Sequence, residues 1–395
     1  MSLEGRSLLA TRAARGVADG LVAASFATLV RSRGMDEQTL GVLVTATLLG
    51  SASVLLAVTR WPEVLNPYRV LTLCGGLMVA TGIAFAATGR LAVLIPLAVV
   101  GPLNPTGGDV SAFLPSEQAL LADHTDPSRR SAVFARYALA GSLGATVGGL
   151  STGAVGIIGR RIGFASTNGT ALGPLLYAVI GALVTIVYAR MRSTAPTTLR
   201  KPATRLVEAR TTVRQLALLF SLDAAGGGFV GTALTAAWLA RRFDFALGQI
   251  GLVLGLASAA SALSALAAPK LSRRFGLVET MVFTHLPANM LCIAAGVAPN
   301  ARIAVVLLIT RALLSQLDVP ARQTFVMSIV PEQERAAAAA FTNVPRSLAA
   351  ATTPSIAGWM LHRSAFGWPL VAAGTLKIIY DLLLLTRFRR LSTRI

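Results

Sequence analysis

"EQALLADHTDPSRRSAVFARYALAGSLGA", residues 117–145, returns as "RQTFVMSIVPEQERAAAAAFTNVPRSLAA", residues 322–350, at one constant offset. Arg130 falls on Arg335 and Ser142 on Ser347, while Pro127 lies one position from the equivalent of Pro331. Just upstream, Asp109-Val110 is echoed by Asp318-Val319, with one helical turn fewer in the second copy. A second echo pairs "LGVLVTATLLGSASVL" from Leu40 with "IGLVLGLASAASALSA" from Ile250. A duplicated chain predicts two related bundles, so the next question is which solvent each bundle faces.

Composition answers that question. Of the 395 residues, 54% are hydrophobic and only 13% charged, with a mean hydropathy of +0.66. Soluble domains carry about 25% charged residues, so much of this surface faces lipid. The net charge of +19 does not indicate nucleic acid, because the basic residues are scattered between apolar segments and aromatics make up only 6%. Cys74 and Cys292 lie far apart inside apolar runs and read as small hydrophobes. The first apolar segment holds Asp19 and no small-residue cleavage site follows it, so no cleavable leader is expected.

A membrane-crossing helix needs roughly 20 apolar residues. Twelve such spans are expected: 10–30, 38–59, 69–89, 91–121, 131–156 and 171–190 in the first half, and 213–240, 246–268, 278–297, 301–329, 336–361 and 367–386 in the second. The long basic stretch "MRSTAPTTLRKPATRLVEARTT" separates them. The fold class expected is all-α membrane protein, with a six-helix bundle over 1–191, a cytoplasmic linker over 192–212 and a second bundle over 213–395. With both termini inside, Lys and Arg on the inner side outnumber those in the outer loops by more than two to one, which favours cytoplasmic termini in a plasma or inner membrane. Paired repeats of this kind bind substrate near the bilayer midplane.

This arrangement resembles the major facilitator superfamily along the whole chain. "KLSRRFGLVETM", residues 270–281, is similar to the family's basic loop between spans eight and nine, with Arg273 where an Asp is usual and Arg274 beside it. "LLADHTDPSRRSAVF" and "MSIVPEQERAAAAAF" resemble its acid-Pro-Arg turns after spans four and ten, which carry Arg130 and Arg335. "GSLGATVGG", residues 141–149, resembles the Gly-rich span-five motif associated with antiporters. "TMVFTHLPANML" and "LDVPARQTFVMSIV" resemble a subgroup of bacterial exporter-like members. The loop "TRWPEVLNPYR" departs from the family pattern between spans two and three. The resemblance implies alternating access, a monomer, and a cavity lined by spans one, four, seven and ten, with Arg130, Arg273, Arg274 and Arg335 in the cytoplasmic gate loops.

Charges at membrane depth persist where they pair, face water or shed their charge. Asp19, Asp109, Asp223 and Asp318 are the proton-coupling candidates, because desolvation favours a neutral carboxyl and so allows proton exchange. Asp109 follows two glycines and two nearby prolines, a broken backbone that is tolerated where it is buried or lines a cavity. Glu117, Arg136, Arg311, Gln316, Arg322, Gln323 and Asn343 are the cavity or gate candidates. Four pairings are expected from spacing and depth: Asp19 with Arg15 as the alternative to coupling, Glu117 with Arg136, Arg311 with Asp223 or an anionic substrate group, and Lys377 with Asp381. Asp318 and Arg322 stand four apart on one helix face. Arg346 reads as an anchor and His285 as a hydrogen-bonded structural residue.

The function expected is secondary transport of a small organic solute, with the proton as coupling ion and export favoured, and with uptake symport or facilitated diffusion of a metabolite as the alternative. No cofactor is expected. Three scattered histidines, with no metal spacing and no serine–histidine pairing, argue against a membrane enzyme. The glycine patches, Gly148-Gly149 and Gly226–Gly228, read as helix-packing sites, not as phosphate loops.

Overall fold

A computed structural model describes residues 3–60, 66–107, 111–126, 130–162, 171–191, 209–331 and 334–392. All regular structure among them is helical: α1 (Leu3–Ser32), α2 (Glu37–Arg60), α3 (Pro67–Ala87), α4 (Leu91–Val100), α5 (Leu114–Asp123), α6 (Arg130–Arg161), α7 (Leu172–Arg190), α8 (Arg210–Phe229), α9 (Thr232–Phe243), α10 (Leu247–Phe275), α11 (Leu277–Gly296), α12 (Ala301–Leu314), α13 (Asp318–Ser328), α14 (Arg335–Arg363) and α15 (Trp368–Ser392). Ten stretches among the described residues are long and apolar enough to cross a membrane. They coincide with ten of the twelve expected spans. The other two are the segment broken into α4 and α5, and α14, a single helix that contains Pro345 and Pro354.

The chain divides into two compact units. One comprises Met1–Arg200 with Gly231–Leu256, the other Lys201–Val230 with Ala257–Ile395. Within the first, α1 packs along α6 and α7, and α3 packs along α7. Within the second, α8 packs along α14 and α15, and α11 packs along α15. These are the same three pairings, read through the repeat. The first unit also holds α9 against α1 and α2. The apolar core of the second is built on Val213, Leu216, Phe220, Val282, Phe325 and Tyr380.

Glycine sets the α1–α6 spacing. Lipid gives helices no hydrophobic reason to associate, so close approach through small residues has to supply the contact. A Cβ on Gly144 would meet the Ala13 carbonyl, with Gly16 Cα 3.0 Å away, and a Cβ on Gly148 would meet the Val17 carbonyl. The same device joins α8 to α14, where a Cβ on Gly228 would meet Thr353 Oγ1 and the Ala350 carbonyl.

Three of the expected spans are discontinuous. The break between α4 and α5 follows from Pro102 and Pro105, which cannot donate to the helix ladder, and from Gly107, whose φ of 66° requires glycine. The freed carbonyls are not wasted. Pro105 O accepts from Ala233 N at 2.9 Å, and Thr106 O accepts from Thr232 N at 3.1 Å and from Thr232 Oγ1 at 2.9 Å. These bonds satisfy the orphan N–H groups at the start of α9, which follows the second break at Val230-Gly231. The broken backbone of one span therefore caps the broken helix of another. The third break lies between Leu314 and Asp318.

Gly148→Val should lower the unfolding temperature of the detergent-solubilised protein, with a loss of about 1–3 kcal/mol or more from overpacking. Gly76→Val should leave it unchanged, since nothing lies within 4 Å of a Cβ there. Equal effects at the two sites would reject the packing argument.

Candidate functional site

Each unit buries one charged cluster. In the first, Arg15 of α1 donates through Nη2 to Glu117 Oε2, and both side chains are almost wholly buried. Tyr137 of α6 donates its hydroxyl to the same carboxylate, and Tyr188 of α7 donates to its other oxygen. The Arg15 guanidinium also stands 4.0 Å from the centre of the Phe113 ring. Glu117 occupies the first turn of α5, where the helix N-terminus favours negative charge. One carboxylate thus joins four helices, with hydrogen bonds and a counter-charge offsetting its burial.

In the second unit the carboxylate is Asp223 of α8. Arg322 Nη1 from α13 lies 3.0 Å from Oδ2, and Lys377 Nζ from α15 lies 2.5 Å from Oδ1. His285 Nε2 from α11 stands 3.6 Å from Oδ1. The other ring nitrogen, Nδ1, is 2.8 Å from Asp381 Oδ1, whose second oxygen accepts from Asn289 Nδ2 at 2.9 Å. Arg322 also lies 3.8 Å from Asp318 Oδ2 and 5.5 Å from the centre of the Phe220 ring. Among the described residues no group of three or more His, Cys, Asp or Glu side chains could hold a metal ion.

The clusters are related by the repeat, with the signs exchanged. Glu117 and Arg322 are equivalent positions of the duplicated stretch, and each reaches the first long helix of its own unit. The acid is on α5 and the base on α1 in one unit; the base is on α13 and the acid on α8 in the other. An arginine lies against an aromatic ring in both.

Several expected pairings need correction. Glu117 does not pair with Arg136, which is exposed. Arg136 and Tyr137 are adjacent on α6 and point about 100° apart, so only Tyr137 faces the acid. Asp19 is not paired with Arg15 despite the four-residue spacing, because Arg15 is directed at Glu117. Arg311 does not reach Asp223, whose cations are Arg322 and Lys377, with the His285 ring standing beside them. The Arg311 Nε is buried without a hydrogen-bond partner among the described residues. Lys377 and Asp381 separate, the first to Asp223 and the second to His285 and Asn289. His285 is hydrogen-bonded, as the sequence suggests, and it stands with Asn289 within the charged cluster, a placement that the sequence analysis does not anticipate. The signal available was two polar side chains four apart in an apolar span.

The remaining candidates are placed as follows. Asp19 and Asp318 are buried, Gln316 is partly buried, and Gln323 and Asn343 are exposed. Arg273 and Arg274 are exposed in the last turn of α10. Arg130 and Arg335 open α6 and α14, but their side chains lie outside the described residues, as does the whole of Asp109. At the far end of α9, Arg241 Nη1 meets Glu37 Oε2 at 3.1 Å, while Arg31 Nη2 meets Oε1 at 2.7 Å. That acid ties α1, α2 and α9 together.

A duplicated all-helical membrane fold with paired buried ion clusters defines a transporter class, not an enzyme. The sequence matches the Major Facilitator Superfamily over residues 8–310 and 216–394 and belongs to that family. It is 21% identical, over 91% of this chain and 88% of the other, to an uncharacterized membrane protein of Saccharomyces cerevisiae, YJR124C. Among solved structures, it is similar in fold to a bacterial homolog of the human lysosomal transporter Spinster, with a TM-score of 0.72, 15% identity, and coverage of 99% of this chain and 96% of that one. It is likewise similar to the nucleoside transporter NupG, with a TM-score of 0.67, 13% identity, and coverage of 98% and 99%. The protein is a multi-pass integral membrane protein of a secondary-transporter family.

Removing one member of a buried ion pair leaves an uncompensated charge. Glu117→Gln should cost about 3–5 kcal/mol, and adding Arg15→Met should recover part of that loss. Arg136→Met should stay within about 0.5 kcal/mol of the parent. Unfolding in mixed micelles measures all three. A larger loss for Arg136→Met than for Glu117→Gln would overturn the pairing.

Proposed function

We propose that this chain moves a small organic solute across the cytoplasmic membrane by alternating access, driven by proton antiport, with both termini in the cytoplasm and the monomer as the working unit. One observation carries the proton reading. Asp19 is a buried carboxylate on α1, 9% exposed, and no hydrogen bond or ion pair reaches it among the described residues. Arg15, one turn away, is engaged by Glu117. Arg15 and Arg12 act on Asp19 across space but make no bond to it, so this carboxylate is left to exchange a proton when water or a solute reaches it. That is the behaviour a coupling group requires. Asp223 and Asp318 differ, since both already meet Arg322. They serve the cycle by exchanging partners, and Asp109 is a further acid that the sequence offers.

The solute reading rests on the three broken spans. Two of these breaks cap one another, which leaves the break between α12 and α13 to offer backbone donors and acceptors, as broken helices do in secondary transporters. Arg311, with a buried Nε lacking a partner, and Gln316 one to two turns further along supply side-chain donors for a polar group of the solute. Export accords with the Gly-rich α6, whose glycines allow the close α1–α6 contact.

The test begins with a thermal-shift screen of purified protein against metabolites and drugs, because a ligand bound only by the native state raises the melting temperature. A hit is then followed in proteoliposomes. The expected result is flux that responds to an imposed pH gradient in the parent, and loss of that response in Asp19→Asn while solute exchange without a gradient continues. Unchanged pH dependence in Asp19→Asn would remove Asp19 from coupling. The direction of gradient-driven flux separates export from uptake.

A further inference from the structure

Asp223 and Asp381 both face one imidazole, yet only one of them is hydrogen-bonded to it. His285 Nδ1 lies 2.8 Å from Asp381 Oδ1 and 3.1 Å from Asn289 Nδ2; the shorter contact is to a carboxylate, which only accepts, and with Asn289 Nδ2 given to the other oxygen of Asp381 the ring hydrogen is assigned to Nδ1. Asn289 Nδ2 holds the other oxygen of Asp381 at 2.9 Å, which fixes the carboxylate in place. With Nδ1 protonated, a neutral imidazole presents a lone pair at Nε2. That lone pair faces Asp223 Oδ1 at 3.6 Å, beyond hydrogen-bond range. Two acceptors are thus aimed at one another across a gap that a single added proton would convert into a charge-assisted hydrogen bond. A residue serving only to brace α11 against α15 needs the Asp381 bond and has no use for this second contact.

The oxygen concerned is already in use. Lys377 Nζ lies 2.5 Å from the same Asp223 Oδ1, while Arg322 holds Oδ2 at 3.0 Å. We propose that His285 is the proton-binding group of the second unit, and that a proton taken on Nε2 makes it the rival of Lys377 for Asp223 Oδ1. The proposal rests on the proton-coupled reading above and adds a site to it. The balance is simple: one proton from water forms the Nε2–H bond, Lys377 keeps its own protons, and only its contact with Oδ1 loosens. The charges around the ring come from every side. Helix α15 presents Asp381, Lys377 and the edge of Tyr380, at 5.9 Å between ring centres. Helix α8 supplies Asp223, α13 supplies Arg322 and Asp318, and Arg346 of α14 acts on Asp223. Protonation therefore couples α11 to α8 and α15, the two helices that share the Lys377–Asp223 bond.

The chain has three histidines, His124, His285 and His362. Nitrogen-15 histidine labelling of the full chain in lipid nanodiscs resolves them, with assignment by His285→Gln and with the other two as references. The expected result is that the His285 ring gains a proton on Nε2 as the pH is lowered, read as a single coupled change in both nitrogen-15 shifts. Asp223→Asn should lower the midpoint of that change by about one unit or more, because the facing negative charge is lost. Lys377→Met, which removes a facing positive charge, should raise it by about as much, and serves if Asp223→Asn fails to fold. A His285 ring that keeps one protonation state from about pH 5 to 9, or a midpoint that neither substitution moves, would overturn the proposal. Parent flux indifferent to a pH gradient would instead end the proton-coupled reading and leave this titration standing.

Discussion

A full charge at membrane depth costs several kcal/mol unless an opposite charge and hydrogen bonds meet it there. The Arg15–Glu117 contact answers that requirement in the first unit, and much of the unit follows from it. The acid sits at the start of α5, the base on α1, and the two tyrosines that complete the carboxylate come from α6 and α7. Four helices are thereby fixed in rotation about their own axes. The second unit solves the same problem with the signs exchanged and with more participants, so that Asp223 gathers Arg322, Lys377 and His285 from three helices. The first cluster is saturated by neutral tyrosines and one base. The second holds several groups around one carboxylate.

Backbone is governed by the same rule as side chains. The break after α4 leaves loop carbonyls that lipid could not satisfy. Pro105 and Thr106 turn those carbonyls to the N–H groups that open α9, and Gly107 leaves room for Thr232. Two breaks that would each be costly alone become mutual caps. Helix α9 is further tied to α1 and α2 through Glu37, held between Arg31 and Arg241. As a result the span is divided, with α8 in one compact unit and α9 in the other.

Much of this was legible from residues alone. Runs of apolar residues mark the spans because hydrocarbon thickness sets their length, and the duplicated stretch marks two related bundles because equal sequences fold alike. The glycine patches point to close helix contact, and charged residues within apolar runs stand out against their neighbours. Partner choice did not follow from spacing. Arg15 and Asp19, or Lys377 and Asp381, are four apart on one helix and suited to pair locally. Each instead turns elsewhere or remains unpaired, and Glu117 is met by Arg15, 102 positions away.

The reason is geometric. Hydrophobic length and internal repetition are properties of the chain itself, so the number, extent and duplication of the spans can be read along it. Which charge meets which depends on helix rotation and on distances between segments remote in sequence. In a medium that favours any counter-charge within reach, a difference of a few ångströms decides the partner. The placement of His285 between Asp381 and Asp223 belongs to that second kind, and only the assembled helices determine it.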